Sequence, residues 1–298
     1  MDGSDLVAWS PITSRPRLTW PNGARVAVWV VPNVEHYEYL PKDVRARDPW
    51  PRTPHPDVLG YGARDYGNRV GIWRLFQVLD DLGIRCTTSL SMRVIQHYPR
   101  IHEAMQKRGW EYMSHGLYNT RYHWGYGEAE EAAVIAECND IHDRLVGGPL
   151  PGWFSPAASY TVNTHHLVAE AGITYWADIY HDDQPFPVKV RSGSLVTVPY
   201  SMDLNDAILT RRPDDMVEFD VAIRDHFDTV YAEGDRVMCI ALHPYWIGQP
   251  HRIEKFRRTM EYILGHSGVW MTTGGAIARH CIDTHLPALQ AQLAGAGR

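Results

Sequence analysis

An α/β fold, a single barrel-like domain of parallel strands alternating with helices, is the architecture this sequence predicts. Three observations predict it. The strongest apolar runs are continuous rather than alternating, as in strands buried on both faces. Stretches with helical periodicity separate these runs, and repeated strand–helix units imply a parallel sheet. Seven or eight such units without a glycine-rich nucleotide fingerprint favour a closed or nearly closed barrel over an open sheet.

Residues 25–31 (RVAVWVV) form the first strand. From 67 to 82, Val70, Trp73, Phe76 and Leu79 recur at helical spacing, with Gly83 as the stop. A strand over 85–90, a helix ending at Gly109 and a short strand over 110–114 follow. The clearest helix covers 128–146, with Val134, Cys138, Ile141 and Leu145 on one stripe and Gly147 behind it. Then come strand 152–154, a helix around 163–171, strands 173–177 and 195–199, and a helix near 217–232. The solid apolar strand 236–242 (RVMCIAL), a helix around 253–264, strand 269–271 and a helix from Ala276 close the pattern. The segment 32–66, rich in Pro, Asp and Arg, is too long for a tight connection and reads as an inserted irregular loop, a lid or pocket wall.

The chain has 298 residues, 44% hydrophobic and 21% charged, a globular composition that one α/β barrel of about 250 residues or more accommodates. A formal net charge of −6 with no basic run argues against nucleic-acid and anionic-membrane partners. No secretory signal pattern opens the sequence and no apolar run reaches about 18 residues, so the expected compartment is the cytoplasm. Cys86, Cys138, Cys239 and Cys281 are scattered without a CxxC pair and read as buried reduced thiols. Oligomeric state is open, a homo-oligomer included.

Parallel barrels gather their active sites where strands deliver their C-terminal ends. Asn33, Glu35 and His36 follow the first strand, Ser89 and Ser91 the second, and His115 the third. Ser155, Asp178, Tyr200 with Ser201, and His243 follow later ones, and the last ends at Thr272 and Thr273. Polar residues at strand ends are ordinary, because the chain leaves the sheet into water there. One carboxylate and two histidines on a single rim carry more, since together they activate water and protonate a leaving nitrogen.

The segments EYMSHG (111–116), WFSP (153–156), LHP (242–244) and DYGNRVG (65–71) resemble, in order, the polysaccharide-deacetylase (NodB-homology) superfamily. The resemblance spans Trp20 to about Ile277, and the version over 65–82 is similar to the branch containing PuuE-type allantoinase and cyclic imide hydrolases. It implies a distorted (β/α)7-8 barrel of the polysaccharide-deacetylase type. The departures are specific. The family's paired aspartates correspond to 31–36 (VPNVEH), where Glu35 is the one acid; the second histidine of its spacing-four pair is Asn119; its Arg-x-Pro motif lacks the arginine; His243 matches its final histidine. A neutral amide is a weak zinc ligand, so the resemblance implies a metal-free site, with Zn2+ held by Glu35, His115 and Asn119, or completed by His36, as the alternative.

Hydrolysing an amide requires activated water, a stabilised oxyanion and a proton for nitrogen. Glu35 is the candidate base, its bland alternative being a loop carboxylate paired with Arg64 or Arg69. His115 is the candidate for orienting water or polarising the carbonyl, and His243 for protonating nitrogen. Asp65 and Arg69 are either substrate contacts or a helix cap. Trp124, Trp153, Trp176 and Tyr200 are candidate walls for a flat ring, although most aromatics are core. Asp178, Asp182 and Asp183 read as a solvated acidic turn, and His165 with His166 as helix residues lacking a partner motif. The expected function is hydrolysis of a C–N amide bond in a small cyclic amide: an imide, a hydantoin or a ureide such as allantoin. The alternatives are a zinc-dependent deacetylase of an N-acetylated sugar, within carbohydrate metabolism, and a non-catalytic binding protein on the same barrel.

Overall fold

A computed structural model describes residues 3–41, 56–209 and 218–296. Among them, nine strands form one curled sheet. They are β1 (Val26–Val34), β2 (Thr87–Leu90), β3 (Glu111–Ser114), β4 (Gly152–Trp153), β5 (Tyr175–Trp176), β6 (Phe186–Pro187), β7 (Val196–Thr197), β8 (Arg236–Leu242) and β9 (Val269–Thr272). The order is β6-β7-β5-β4-β3-β2-β1-β8, with β9 also on β1, and every pair is parallel except β6 with β7. Strand β6, two residues that include Pro187 and follow Pro185, left no apolar run to read.

β1 is buried over its whole length, which is why its sequence does not alternate. Its first half pairs with β9 (Val26 with Val269 through Trp29 with Thr272), whereas Asn33 and Val34 pair with Ser89 and Leu90 of β2. This fork distorts the barrel. Closure between β7 and β8 is irregular too: Ala241 N donates to Leu204 O at 3.1 Å and Val237 N to Asp183 O at 2.8 Å, in place of a regular ladder.

The period of two along each strand divides the core. Ala27, Trp29, Val31, Met113, Phe154, Tyr175 and Tyr200 pack with one another on one side of the sheet. Val26, Val28, Val30, Trp153 and Trp176 pack on the other, where the helices also contribute. All four cysteines are free and buried.

The predicted irregular insertion at 32–66 is partly regular. It contains the end of β1 and helix α1 (Val58–Tyr66), capped by Asp57, whose side chain accepts from Gly60 N at 3.0 Å. Its central part, 42–55, lies outside the described residues. A π-helical turn, Gly67–Gly71, joins α1 to α2 (Ile72–Asp81). Its glycines are required by a close approach to the short helix α3 (Pro244–Ile247). A Cβ on Gly67 would sit 2.7 Å from Tyr245 N, and one on Gly71 2.0 Å from Pro244 O. The turn therefore seats the backbone immediately after His243.

Candidate active site

Parallel register delivers the site residues to one end of the barrel. Glu35 follows β1, His115 follows β3, Phe154 follows β4, Tyr200 lies beyond β7 and His243 follows β8. These residues, with Asn33, Tyr37, Arg64, Asn119, Tyr122, Asn205 and Tyr245 among others, line a pocket of about 250 Å³.

Glu35 is buried and clamped. Oε1 accepts from Asn119 Nδ2 at 2.9 Å, and Oε2 accepts from the Tyr37 hydroxyl at 2.5 Å, which in turn accepts from Asn119 at 2.8 Å. The main-chain carbonyl of Glu35 accepts from Asn68 Nδ2 at 2.8 Å, so the π-helical turn holds the residue from behind. Two imidazoles face Oε1: His115 Nε2 at 3.3 Å and His243 Nε2 at 3.8 Å. Burial alone raises this carboxyl, but the fields of His243 and His115 and the bond from Tyr37 outweigh it, leaving Glu35 below its ordinary range.

His115 N donates to Leu90 O at 2.7 Å, and its Nδ1 lies 3.1 Å from Phe154 O. A carbonyl there requires the proton on Nδ1, which turns Nε2 toward the Glu35 carboxylate. Gly116, at φ +64°, explains the Ser-His-Gly sequence, because a Cβ there would lie 2.6 Å from Pro156 Cγ. His243 is oriented by Asp206, a fully buried residue that begins the short helix Asp206–Leu209. Its Oδ2 accepts from His243 N at 2.8 Å, and its Oδ1 meets Nδ1 at 2.7 Å, so Nε2 points to Glu35. Burial raises the Asp206 carboxyl, and the bonds and charge of His243 oppose that rise.

Several sequence expectations place differently. Trp153 and Trp176 lie on the opposite side of the sheet from Phe154 and Tyr200, fully buried, with indole N–H groups bonded to Ser155 Oγ and Asp178 Oδ2. Strand alternation is the reason: a one-residue step reverses the face. Trp124 is off the pocket wall and packs on Tyr122, which lines it. Asp65 and Arg69 also lie off the wall, paired to each other one helical turn apart with Arg69 exposed; the cap is Asp57. Of the proposed ring-wall residues, Tyr200 lines the pocket, with its hydroxyl 2.9 Å from Asn33 Nδ2.

The acidic turn is solvated only in part: Asp183 is exposed, whereas Asp178 and the side chain of Asp182 are not. Asp178 is buried and accepts from Ser155 N and Oγ, both at 2.8 Å; burial against those bonds pushes its carboxyl up to about 6. Asp182 pairs with Arg15 at 2.6 Å. His36 stacks on His97 with ring centroids 4.2 Å apart, and its Nδ1 lies 3.2 Å from the Tyr98 hydroxyl. It is outside the pocket wall, and burial lowers it to about 4. His165 and His166 have ring centroids 3.9 Å apart, with His165 stacked on Trp176. Sequence reasoning missed Asp206 and Tyr37, and named Arg64 only as a possible ion partner of Glu35. Only Tyr37, two residues from Glu35, carried a local signal.

The donors fit a catalytic zinc poorly. Among the described residues, no three His, Cys, Asp or Glu side chains converge as ligands. Asn119 turns its NH₂ toward Glu35 Oε1, the atom a metal would need, while its buried Oδ1 has no hydrogen-bond partner. Among the described residues, no helix is long and apolar enough to cross a membrane.

The polysaccharide deacetylase family profile matches residues 63–176. A Schizosaccharomyces pombe protein named for the polysaccharide deacetylases is 27% identical over 305 residues, covering 91% of this chain and 94% of its own. The crystal structure of PuuE allantoinase is similar at a TM-score of 0.77 and 28% identity, over 93% of this chain and 96% of its own. A Pseudomonas aeruginosa structure named for the polysaccharide deacetylases gives 0.78 and 27%, over 91% and 95%. Both structures share the distorted barrel, and the site fits a hydrolase of carbon–nitrogen bonds other than peptide bonds.

Proposed function

We propose that this chain of the polysaccharide deacetylase family opens a small cyclic amide, an imide, hydantoin or ureide, by metal-free hydrolysis. The observation that carries this reading is the carboxylate clamp of Glu35, fixed by Tyr37 and Asn119 and faced by two imidazoles within 4 Å. Pockets for drug-sized ligands run from about 300 to 1,000 Å³. One of about 250 Å³ suits a single ring and not a run of sugar units.

In the proposed reaction, Glu35 accepts a proton from water as the water oxygen attacks the ring carbonyl. His115, its ring fixed by Phe154 O, orients that water through Nε2. His243 Nε2 gives its proton to the departing nitrogen as the C–N bond breaks, and Asp206 stabilises the imidazolium before transfer. The product is an open-chain acid. Glu35 returns its proton to His243 through solvent, restoring both groups. Held ionised below its ordinary range, Glu35 is ready to act at neutral pH.

The test is a panel of allantoin, hydantoin, dihydrouracil, succinimide and phthalimide beside N-acetylglucosamine oligomers, with and without prolonged chelation, products identified by mass. Ring opening that survives chelation is expected. Acetate release abolished by chelator and restored by zinc would replace this reading with the deacetylase. Tight binding of a panel member with no product would make the chain a binding protein.

A further inference from the structure

Strand β4 lies between β3 and β5. Past its end, Phe154 N donates to Ser114 O at 2.9 Å on the β3 side, and Trp153 O accepts from Ala177 N at 2.9 Å on the β5 side. In an extended chain one residue's N–H and C=O point the same way, and the N–H and C=O of a trans peptide point opposite ways. The Phe154 carbonyl therefore also faces β3, while the Ser155 N–H faces β5. Both of these bonds go to side chains. The carbonyl lies 3.1 Å from His115 Nδ1, and the N–H donates to Asp178 Oδ1 at 2.8 Å. One planar peptide group thus joins a carboxylate to an imidazole of the site.

Asp178 is held for this contact from its other oxygen. Oδ2 accepts from Ser155 Oγ at 2.8 Å and from Trp176 Nε1 at 2.5 Å, and Asp178, Ser155 and His115 are all buried. With its carboxyl at about 6, Asp178 is ionised at neutral pH. A carboxylate on the N–H polarises the amide, so the carbonyl becomes a stronger acceptor for the Nδ1 proton; bonds linked in this way strengthen one another by roughly 10–30%. We infer that Asp178 is a positioning residue for His115, acting through the Phe154–Ser155 peptide to keep the proton on Nδ1 and leave Nε2 as the acceptor for the attacking water. His243 receives the same support from Asp206 by direct contact, so each imidazole of the site is backed by a buried carboxylate. The role in turnover rests on the ring-opening reading above, whereas the orientation of His115 does not.

The test reads the tautomer of His115 from its ring-nitrogen chemical shifts at alkaline pH, assigned by their loss in His115→Gln. The wild-type ring is expected to carry its proton on Nδ1, and a proton on Nε2 would overturn the assignment. Asp178→Asn keeps the shape of the side chain but turns an NH₂ onto Ser155 N–H or onto Trp176 Nε1–H. It is expected to leave a mixture of tautomers, with kcat on the best ring-opening substrate at least tenfold lower and KM within threefold. Trp176→Phe removes one bond to Asp178 and keeps both bonds from Ser155. It is expected to lower the thermal melt while retaining the wild-type tautomer and a kcat within threefold. An unchanged tautomer or an unchanged kcat in a folded Asp178→Asn would overturn the assignment, and so would an equal loss of the tautomer in Trp176→Phe. Should Asp178→Asn fail to fold, scalar couplings across hydrogen bonds in the wild-type protein decide. Couplings from Ser155 N to the Asp178 carboxyl carbon and from His115 Nδ1 to the Phe154 carbonyl carbon are expected, and the absence of either overturns it. If the wild-type chain opens no ring of the panel, the ring-opening reading fails, and the tautomers still decide Asp178.

Discussion

Glu35→Gln is the most informative perturbation, because it keeps the shape of the clamp and removes its charge. Oε1 and Oε2 both act as acceptors, from Asn119 and Tyr37. A glutamine must therefore present its NH₂ to one of these donors. Losing one bond to a charged group costs about 1.5–3 kcal/mol, and relief of a buried charge offsets part of that. A net destabilisation of about 1–2 kcal/mol follows. The chemical cost is larger, since a positioned general base contributes about 10²–10⁴-fold, or roughly 3–5 kcal/mol of barrier. Because the Glu35 carboxyl is depressed in the folded chain, its stabilisation is present above the unfolded carboxylate's pKa. It is lost as pH falls through the lower folded value. The stability gap between wild type and variant should therefore close in acid. Steady-state kinetics on the best panel substrate, with urea melts at neutral and acid pH, measure both effects. A folded variant retaining kcat within threefold of wild type would refute Glu35 as the base.

His243→Ala is expected to abolish turnover and, by stranding the buried Asp206 carboxyl, to cost about 3 kcal/mol of stability, whereas Asp206→Asn should lower kcat by about 10²–10³ with a small change in KM; steady-state kinetics with a thermal melt test both, and equal activities in wild type and the asparagine variant would remove Asp206 from the reaction. Gly71→Ala places a methyl 2.0 Å from Pro244 O and should cost about 3 kcal/mol or more by urea melts, with activity falling as His243 shifts. Trp153→Phe removes the bond to Ser155 and should cost about 1–3 kcal/mol by thermal melt with KM unchanged, since the ring is outside the pocket.

Strand ends were the most legible part of the site. Because parallel strands point one way, a residue directly after an apolar run falls on a common rim, which locates Glu35, His115 and His243 without any long-range contact. Face was less legible than position. Trp153 and Phe154 are neighbours in sequence and lie on opposite sides of the sheet, and only the register of β4 on β3 and β5 decides which meets the pocket. Asp206 was invisible for a different reason. It reaches His243 across an irregular closure of the barrel, where Ala241 bonds Leu204 instead of a strand, and no periodicity marks such a crossing. Asp65 and Arg69 drew attention by charge, while the contributions of that motif come from Asn68, Gly67 and Gly71.

Asn119 is where this site departs most from a two-histidine metal centre, and one substitution tests what the departure does. Its NH₂ lies 2.9 Å from Glu35 Oε1, so Asn119→Asp would set a second carboxylate oxygen in that position. Two carboxylates at about 3 Å cannot both ionise, and one of the pair titrates upward by about 1–3 units. The Tyr37 hydroxyl bonds one oxygen of Glu35 and would meet the new carboxylate with its lone pairs, so the pair would share the proton rather than cede it to Tyr37. The acid limb of the pH–rate profile should therefore move upward by about 1–3 units, with activity recovering at alkaline pH. That shift follows only if Glu35 must be ionised for turnover. An acid limb that stays in place, in a folded and active Asn119→Asp, would mean that the protonation state of Glu35 does not control the reaction, and the clamp would be a structural device around His115 and His243.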